Sequence, residues 1–128
     1  RRRLSAPFLD RFDLRVRVTA PEPRDTRGES SADVRARVLA AVNRQRHRYA
    51  DWPWSQNAHV PAGAVETMLA LARDADCTWR DLIADRVLTG RGAARIRRVA
   101  RTLADLDDAP HITPAHLESA AVLRSDVP

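Results

Sequence analysis

Arg91-Gly92-Ala93-Ala94-Arg95-Ile96-Arg97-Arg98-Val99-Ala100-Arg101-Thr102-Leu103-Ala104-Asp105-Leu106 is the stretch on which the fold turns. At about 100° per residue, Ile96, Val99, Ala100, Leu103 and Leu106 share one arc, the pattern of a helix with its apolar side turned to a core. Arg91, Arg95 and Arg98 fall on a narrow stripe bordering that arc, at the rim of the core. Arg97 and Arg101 are expected further round.

The sequence to either side supplies helices to pack against it. Ser30-Ser31-Ala32-Asp33 offers an N-cap with an acidic residue three places on, opening a helix over about 31–49 with Val34, Val38, Ala41, Val42 and Gln45 on one face. Asp51 to Val60, with Trp52, Pro53, Trp54 and Asn57, reads as a loop stapled to the bundle by its aromatics. Val65, Met68, Leu69 and Ala72 then repeat at helical spacing. Thr78, with Asp81 at the capping-box position, predicts the start of a third segment that turns Trp79, Leu82, Ile83 and Val87 inward and ends at Gly90. Thr113 and Pro114 open a last helix that buries Leu117, Ala120 and Ala121.

Ahead of these helices, residues 12–18, Phe-Asp-Leu-Arg-Val-Arg-Val, alternate apolar and polar with period two, the mark of a strand with one buried face. A single strand is not stable alone. Its sheet is therefore expected in another part of a longer protein or in a partner. Thr19 to Glu29, with Pro21, Pro23 and Gly28 among charged residues, has the composition of a linker. The fold class expected is mainly α: a bundle of four to five helices over 30–128, preceded over 1–29 by an isolated strand and linker.

Composition narrows the chemistry. All 22 basic residues are arginine, so no lysine is present for a Schiff base or for a Walker motif. The formal charge is +5, with 17 acidic residues interspersed. A 128-residue chain with 44% hydrophobic content but only 5% aromatic residues suits one small helical domain. Cys77 is the only cysteine, which excludes an internal disulfide and makes the cytoplasm the expected compartment. No apolar run approaches the roughly 20 residues of a membrane span. His47, His59, His111 and His116 lack metal-site spacing, and no serine or cysteine has a base beside it.

Two arginine segments remain. Arg11 lies between Asp10 and Asp13, and reads either as a local ion pair with one of them or as an arginine finger directed at a γ-phosphate in a neighbouring subunit. Thr89-Gly90-Arg91-Gly92 reads either as a plain connection or as an anion-facing helix start. No phosphate-cradling glycine loop accompanies either segment.

Taken together and in order, these segments resemble a known pattern. Arg1-Arg2-Arg3-Leu4-Ser5-Ala6-Pro7-Phe8-Leu9-Asp10-Arg11-Phe12-Asp13-Leu14 resembles the Arg-(Ile/Leu)-Ser-Gly-Pro-Leu-Leu-Asp-Arg-Ile-Asp-Leu block of the magnesium-chelatase-like AAA+ ATPases. Arg98-Val99-Ala100-Arg101-Thr102-Leu103-Ala104-Asp105-Leu106 resembles a helix of the YifB/ComM branch of that group. Gly28-Glu29-Ser30-Ser31 and Gln56-Asn57-Ala58 fall where the branch carries similar short blocks. Ala6 stands in place of the usual glycine, and Gly92-Ala93-Ala94 in place of a bulkier stretch.

The resemblance implies an α/β nucleotide-binding core followed by a helical lid, with this chain holding the end of the core (1–29) and the lid (30–128). It implies Arg11 as the trans-acting finger, and Arg91, with Arg95 as second choice, as the sensor-2 arginine that reaches ATP from the lid. ATP and Mg2+ would bind the longer parent and not this piece tightly. The parent's partners would be its own ATPase core, neighbouring subunits of a hexameric ring, and DNA that the ring remodels. The rival is a free-standing arginine-rich helical module that binds nucleic acid through the first and fourth helices, and a further alternative is a protein-interaction bundle using Trp52 and Trp54. Backbone amide exchange is expected to show weak protection over 1–29 and protection over 31–124; strong protection of 12–18 in the isolated chain contradicts a strand awaiting its sheet.

Overall fold

The structure, a computed structural model, describes Phe8 and residues 11–18, 28–86 and 88–124. It is mainly helical: α1 (Ser31–Arg48), α2 (Val65–Met68), α3 (Ala75–Arg86), α4 (Gly90–Leu106) and α5 (Pro114–Arg124), with 3-10 turns at Asn57–His59 and Ala62–Ala64. No strand is present among the described residues, and most of the expected linker, 19–27, lies outside them. Residues 12–18 form no ladder. Phe12, Leu14, Val16 and Val18 are exposed, and the segment is held to the bundle by the Arg15 backbone N–H donating to the Leu123 carbonyl at 2.7 Å.

Helix α4 is the central element, packed against α1, α2, α5 and both 3-10 turns. Ile96 and Ala100 of the expected arc are buried, and Val99 and Leu103 pack against the same core. The helix begins at Thr89, whose hydroxyl accepts from the Gly92 N–H at 3.1 Å. It ends in a Schellman arrangement: Asp108 takes the left-handed conformation (φ 57°), and the Ala109 N–H donates to the Ala104 carbonyl at 2.8 Å. Arg44 from α1 seals this end by donating to the Asp105 carbonyl at 2.9 Å and pairing with Asp108 at 2.6 Å.

Several expectations need correction. Only the C-terminal part of α1 is covered: Ala41 and Gln45 are buried, but Val34 and Val38, expected on the same buried face, are exposed because no other described element packs against the first ten residues. The second helix is a single turn. Its expected continuation through Ala72 is diverted by backbone pairing, with Ile112 N–H donating to the Ala70 carbonyl (3.2 Å) and Ala72 N–H to the Ile112 carbonyl (2.8 Å), so that Leu71 and Ile112 form a parallel bridge. Helix α3 starts at Ala75, one turn before Thr78. Ala75 is fully buried with Trp79 four residues on, and this core contact carries the helix back past the expected cap. Ile83, expected inward, is exposed, and Val87 lies outside the described residues. Trp54 packs against the core, whereas Trp52 stacks on it and stays half exposed.

The largest correction concerns Arg97 and Arg101, which are 6% and 3% exposed where the helical wheel places them away from the core. Because α4 is covered on most sides, its long side chains bury their stems and carry their polar heads to internal acceptors. Arg101 donates to the Pro110 (2.9 Å) and Ala109 (2.6 Å) carbonyls and pairs with Asp105 at 3.0 Å.

Asp105 has no exposed surface, and several elements converge on it. Arg48 of α1 engages both of its carboxylate oxygens, Arg101 donates to Oδ1, and Asn57 Nδ2 donates to Oδ2 at 2.9 Å. Asn57 is itself saturated. Its backbone N–H donates to Gln45 Oε1, its Oδ1 accepts from Tyr49 and Arg48, and its second Nδ2 hydrogen goes to Thr102. Burial works to lower the Arg48 pKa, but the hydrogen bond and charge of Asp105 outweigh it and the net direction is upward. For Arg101 burial prevails and the direction is downward. Asp105→Ala is expected to destabilise the domain by about 3–5 kcal/mol, the usual cost of stranding buried cations, whereas Glu118→Ala, on the exposed side of α5, changes it by less than about 0.5 kcal/mol; urea denaturation of both variants checks the contrast.

Candidate nucleotide-facing surface

Phe8 and residues 11–14 lie at one side of the bundle, opposite α4. The Arg11 backbone N–H donates to the Phe8 carbonyl at 3.1 Å, and the Phe8 and Phe12 rings meet edge to face with centroids 5.2 Å apart. This tight turn fixes the main chain at Arg11 and leaves its side chain exposed, with no ion pair to another described residue. Asp13, one of the two aspartates that offered Arg11 a local partner, instead pairs with Arg95 of α4 at 2.9 Å. Asp10, the other, lies outside the described residues.

The stripe of Arg91, Arg95 and Arg98 thus divides into three different environments. Arg91, in the first turn of α4, is exposed and pairs with no described carboxylate. Arg95 is largely buried beneath the 11–14 turn by its pairing with Asp13, and its Nη1 is buried without a hydrogen-bond partner. Arg98 turns inward and donates twice to the Val60 carbonyl, at 3.0 and 2.6 Å. Of the three, Arg91 is the one open to an incoming anion. It stands at the positive end of a 17-residue helix whose Gly92 N–H is already capped by Thr89.

Small residues make this helix start possible. Gly92 and Ala94 are buried, and a Cβ at Gly92 would stand 3.4 Å from Thr89 Oγ1 and 3.5 Å from Arg124 Nη2. The stretch that departs from the bulkier pattern is therefore where the end of α5 closes over the start of α4. Beside the Asp13–Arg95 pair, a mainly apolar cleft of about 280 Å³ lies between Leu14, α4 and Leu123. Asp13 is the site residue that the linear reading missed. It was named there only as a neighbour of Arg11, and nothing in its spacing from Arg95 signals the contact.

Of the four histidines, His116 is buried and His47, His59 and His111 are exposed. His116 Nδ1 accepts from the Thr113 backbone N–H at 3.0 Å, which leaves the proton on Nε2, 3.1 Å from Asp107. The His116 ring thus holds the Thr113 N–H just ahead of the first residue of α5. No helix among the described residues is long and apolar enough to cross a membrane.

Residues 28–124 match the family described as magnesium chelatase, subunit ChlI C-terminal. The chain is 37% identical over 96% of its length to the uncharacterized protein YifB of Salmonella typhimurium and 36% identical over 96% to YifB of Escherichia coli. It is 34% identical over 98% of its length to the competence protein ComM of Haemophilus influenzae. It spans about a quarter of these relatives, 24%, 24% and 25% of their respective lengths. With a family match over most of the helical bundle and relatives that align along nearly all of it, the chain belongs to the magnesium-chelatase-like family, to which it corresponds as the ChlI C-terminal domain.

Proposed function

We propose that this chain is the lid of a magnesium-chelatase-like AAA+ ATPase, supplying Arg11 as a finger to a neighbouring subunit and Arg91 as the sensor of bound ATP. The observation that supports this most is the Asp13–Arg95 ion pair. It joins the turn bearing Arg11 to the helix bearing Arg91, so a movement of α4 on nucleotide binding would be felt at the finger. In this reading Arg95, the second choice for the sensor, is the connecting strut and Arg91 makes the phosphate contact.

The chemistry follows from fixed charge. A guanidinium cannot lose its proton at neutral pH, and its planar fork matches two phosphate oxygens. Placed against the γ-phosphate, it stabilises the charge that spreads over the transferring group, an effect worth about 10³–10⁵ in turnover. ATP and Mg2+ would be held by the rest of the parent, whose glycine loop and acidic strand lie outside this chain. Neighbouring subunits of a ring complete each site, and DNA is the substrate we assign to that ring, in keeping with the ComM relationship.

The rival nucleic-acid module finds little support on α4. In α4, Arg97, Arg98 and Arg101 are turned into the protein and Arg95 is paired, which leaves one arginine of that helix facing solvent. In the full-length parent, Arg11→Ala is expected to lower ATP turnover by about 10³-fold or more with nucleotide affinity nearly unchanged, measured by steady-state hydrolysis and fluorescent-nucleotide binding; wild-type turnover removes Arg11 from the site. Arg91→Ala is expected to weaken both affinity and turnover, and a variant with neither effect rules out its sensor role.

A further inference from the structure

Arg97 presents an unusual state of charge. It is 6% exposed, yet no carboxylate of the described residues lies within ion-pair distance of it. Its Nε donates to the Leu69 carbonyl at 3.2 Å, and the guanidinium carbon lies over the Trp79 ring, 5.2 Å from the centroid. Its two Nη groups make no hydrogen bond to another described residue. Arg101, one helical turn on and equally buried, has Asp105 and two carbonyls. A buried cation without a counter-charge is costly. Burial accordingly pulls the Arg97 pKa down, opposed by the more distant charges of Glu66 and Asp76.

Arg97 and Trp79 line an open cleft of about 340 Å³ between the Ala62–Ala64 turn, α2, α3 and the start of α4. Val65, Ala93 and Ala94 give it apolar walls, and Glu66 is its one acidic lining residue. We propose that this cleft binds a carboxylate carried on a short apolar stem, with the carboxylate on the Arg97 guanidinium and the stem against Trp79 and Val65. The guanidinium fork fits two carboxylate oxygens in parallel. Phosphate fits less well, because a single guanidinium faces it and Glu66 repels a second negative charge. Neither Arg11 nor Arg91 lines this cleft, and the site does not depend on the role proposed for them.

A free aliphatic acid and an Asp or Glu side chain of another polypeptide offer the same chemistry. The test follows the Trp79 indole and Arg97 Nε–H resonances of the 15N-labelled chain during titration with sodium butyrate, with N-acetyl-Ala-Glu-Ala-amide and with inorganic phosphate. Saturable shifts with either carboxylate support the site. Tighter binding of butyrate assigns it to a small acid, and tighter binding of the peptide assigns it to a polypeptide. Arg97→Gln should weaken binding by at least about tenfold, and Glu66→Gln should tighten it by about threefold. The proposal is overturned if neither carboxylate saturates, if phosphate saturates at lower concentration, or if Arg97→Gln binds as well as the wild type. Should Arg97→Gln fail to fold, Glu66→Gln decides, and an unchanged affinity in that variant rejects the site.

Discussion

A buried carboxylate organises this domain. Alanines 41, 75, 94, 100, 104, 120 and 121 are all buried and form much of the core. Small side chains allow close helix approach but offer few knobs to prevent sliding. Directional bonds to Asp105 supply the missing registration. One oxygen pair fixes the end of α1 through Arg48, the 57–59 turn through Asn57 and the last turns of α4 through Arg101, which also holds the loop leading to α5. An arrangement of this kind is demanding, since loss of the carboxylate leaves the Arg48 and Arg101 guanidinium groups without their shared counter-charge.

The helices were legible in the sequence where local chemistry decides them. Ser30, in the expected Ser-Ser-Ala-Asp cap, holds the start of α1 because its hydroxyl reaches the Asp33 N–H, and Leu117, Ala120 and Ala121 are buried as their spacing requires. Legibility failed where a distant segment decides. The bonds to Ile112 cut α2 short, and burial of Ala75 and Trp79 moves the start of α3. Arg97 and Arg101 look solvent-facing on a wheel, but a wheel treats arginine as one polar point although its stem is apolar. The four-residue interval from Arg101 to Asp105 was a readable sign of pairing; the part played by Arg48 and Asn57 was not.

At the candidate site, exposure and pairing divide the arginines in a way the sequence showed only in part. Resemblance drew attention to Arg11 and Arg91, and both are exposed. That Arg95 is taken up by Asp13, more than 80 positions earlier, has no local signature. The same holds for Arg98, which looks like part of a basic stripe and serves instead as a brace on the Val60 carbonyl. Arginine content alone is therefore a poor guide to the field this domain presents to a polyanion. Most of the charge on α4 acts inside the protein.

The Leu71–Ile112 bridge bears on the order in which this domain assembles. Two main-chain hydrogen bonds close a loop that contains all of α3 and α4. Joining the ends of a roughly 40-residue loop is entropically unfavourable until the enclosed chain is compact. The bridge is therefore expected to form late, once α3 and α4 have each packed against α5.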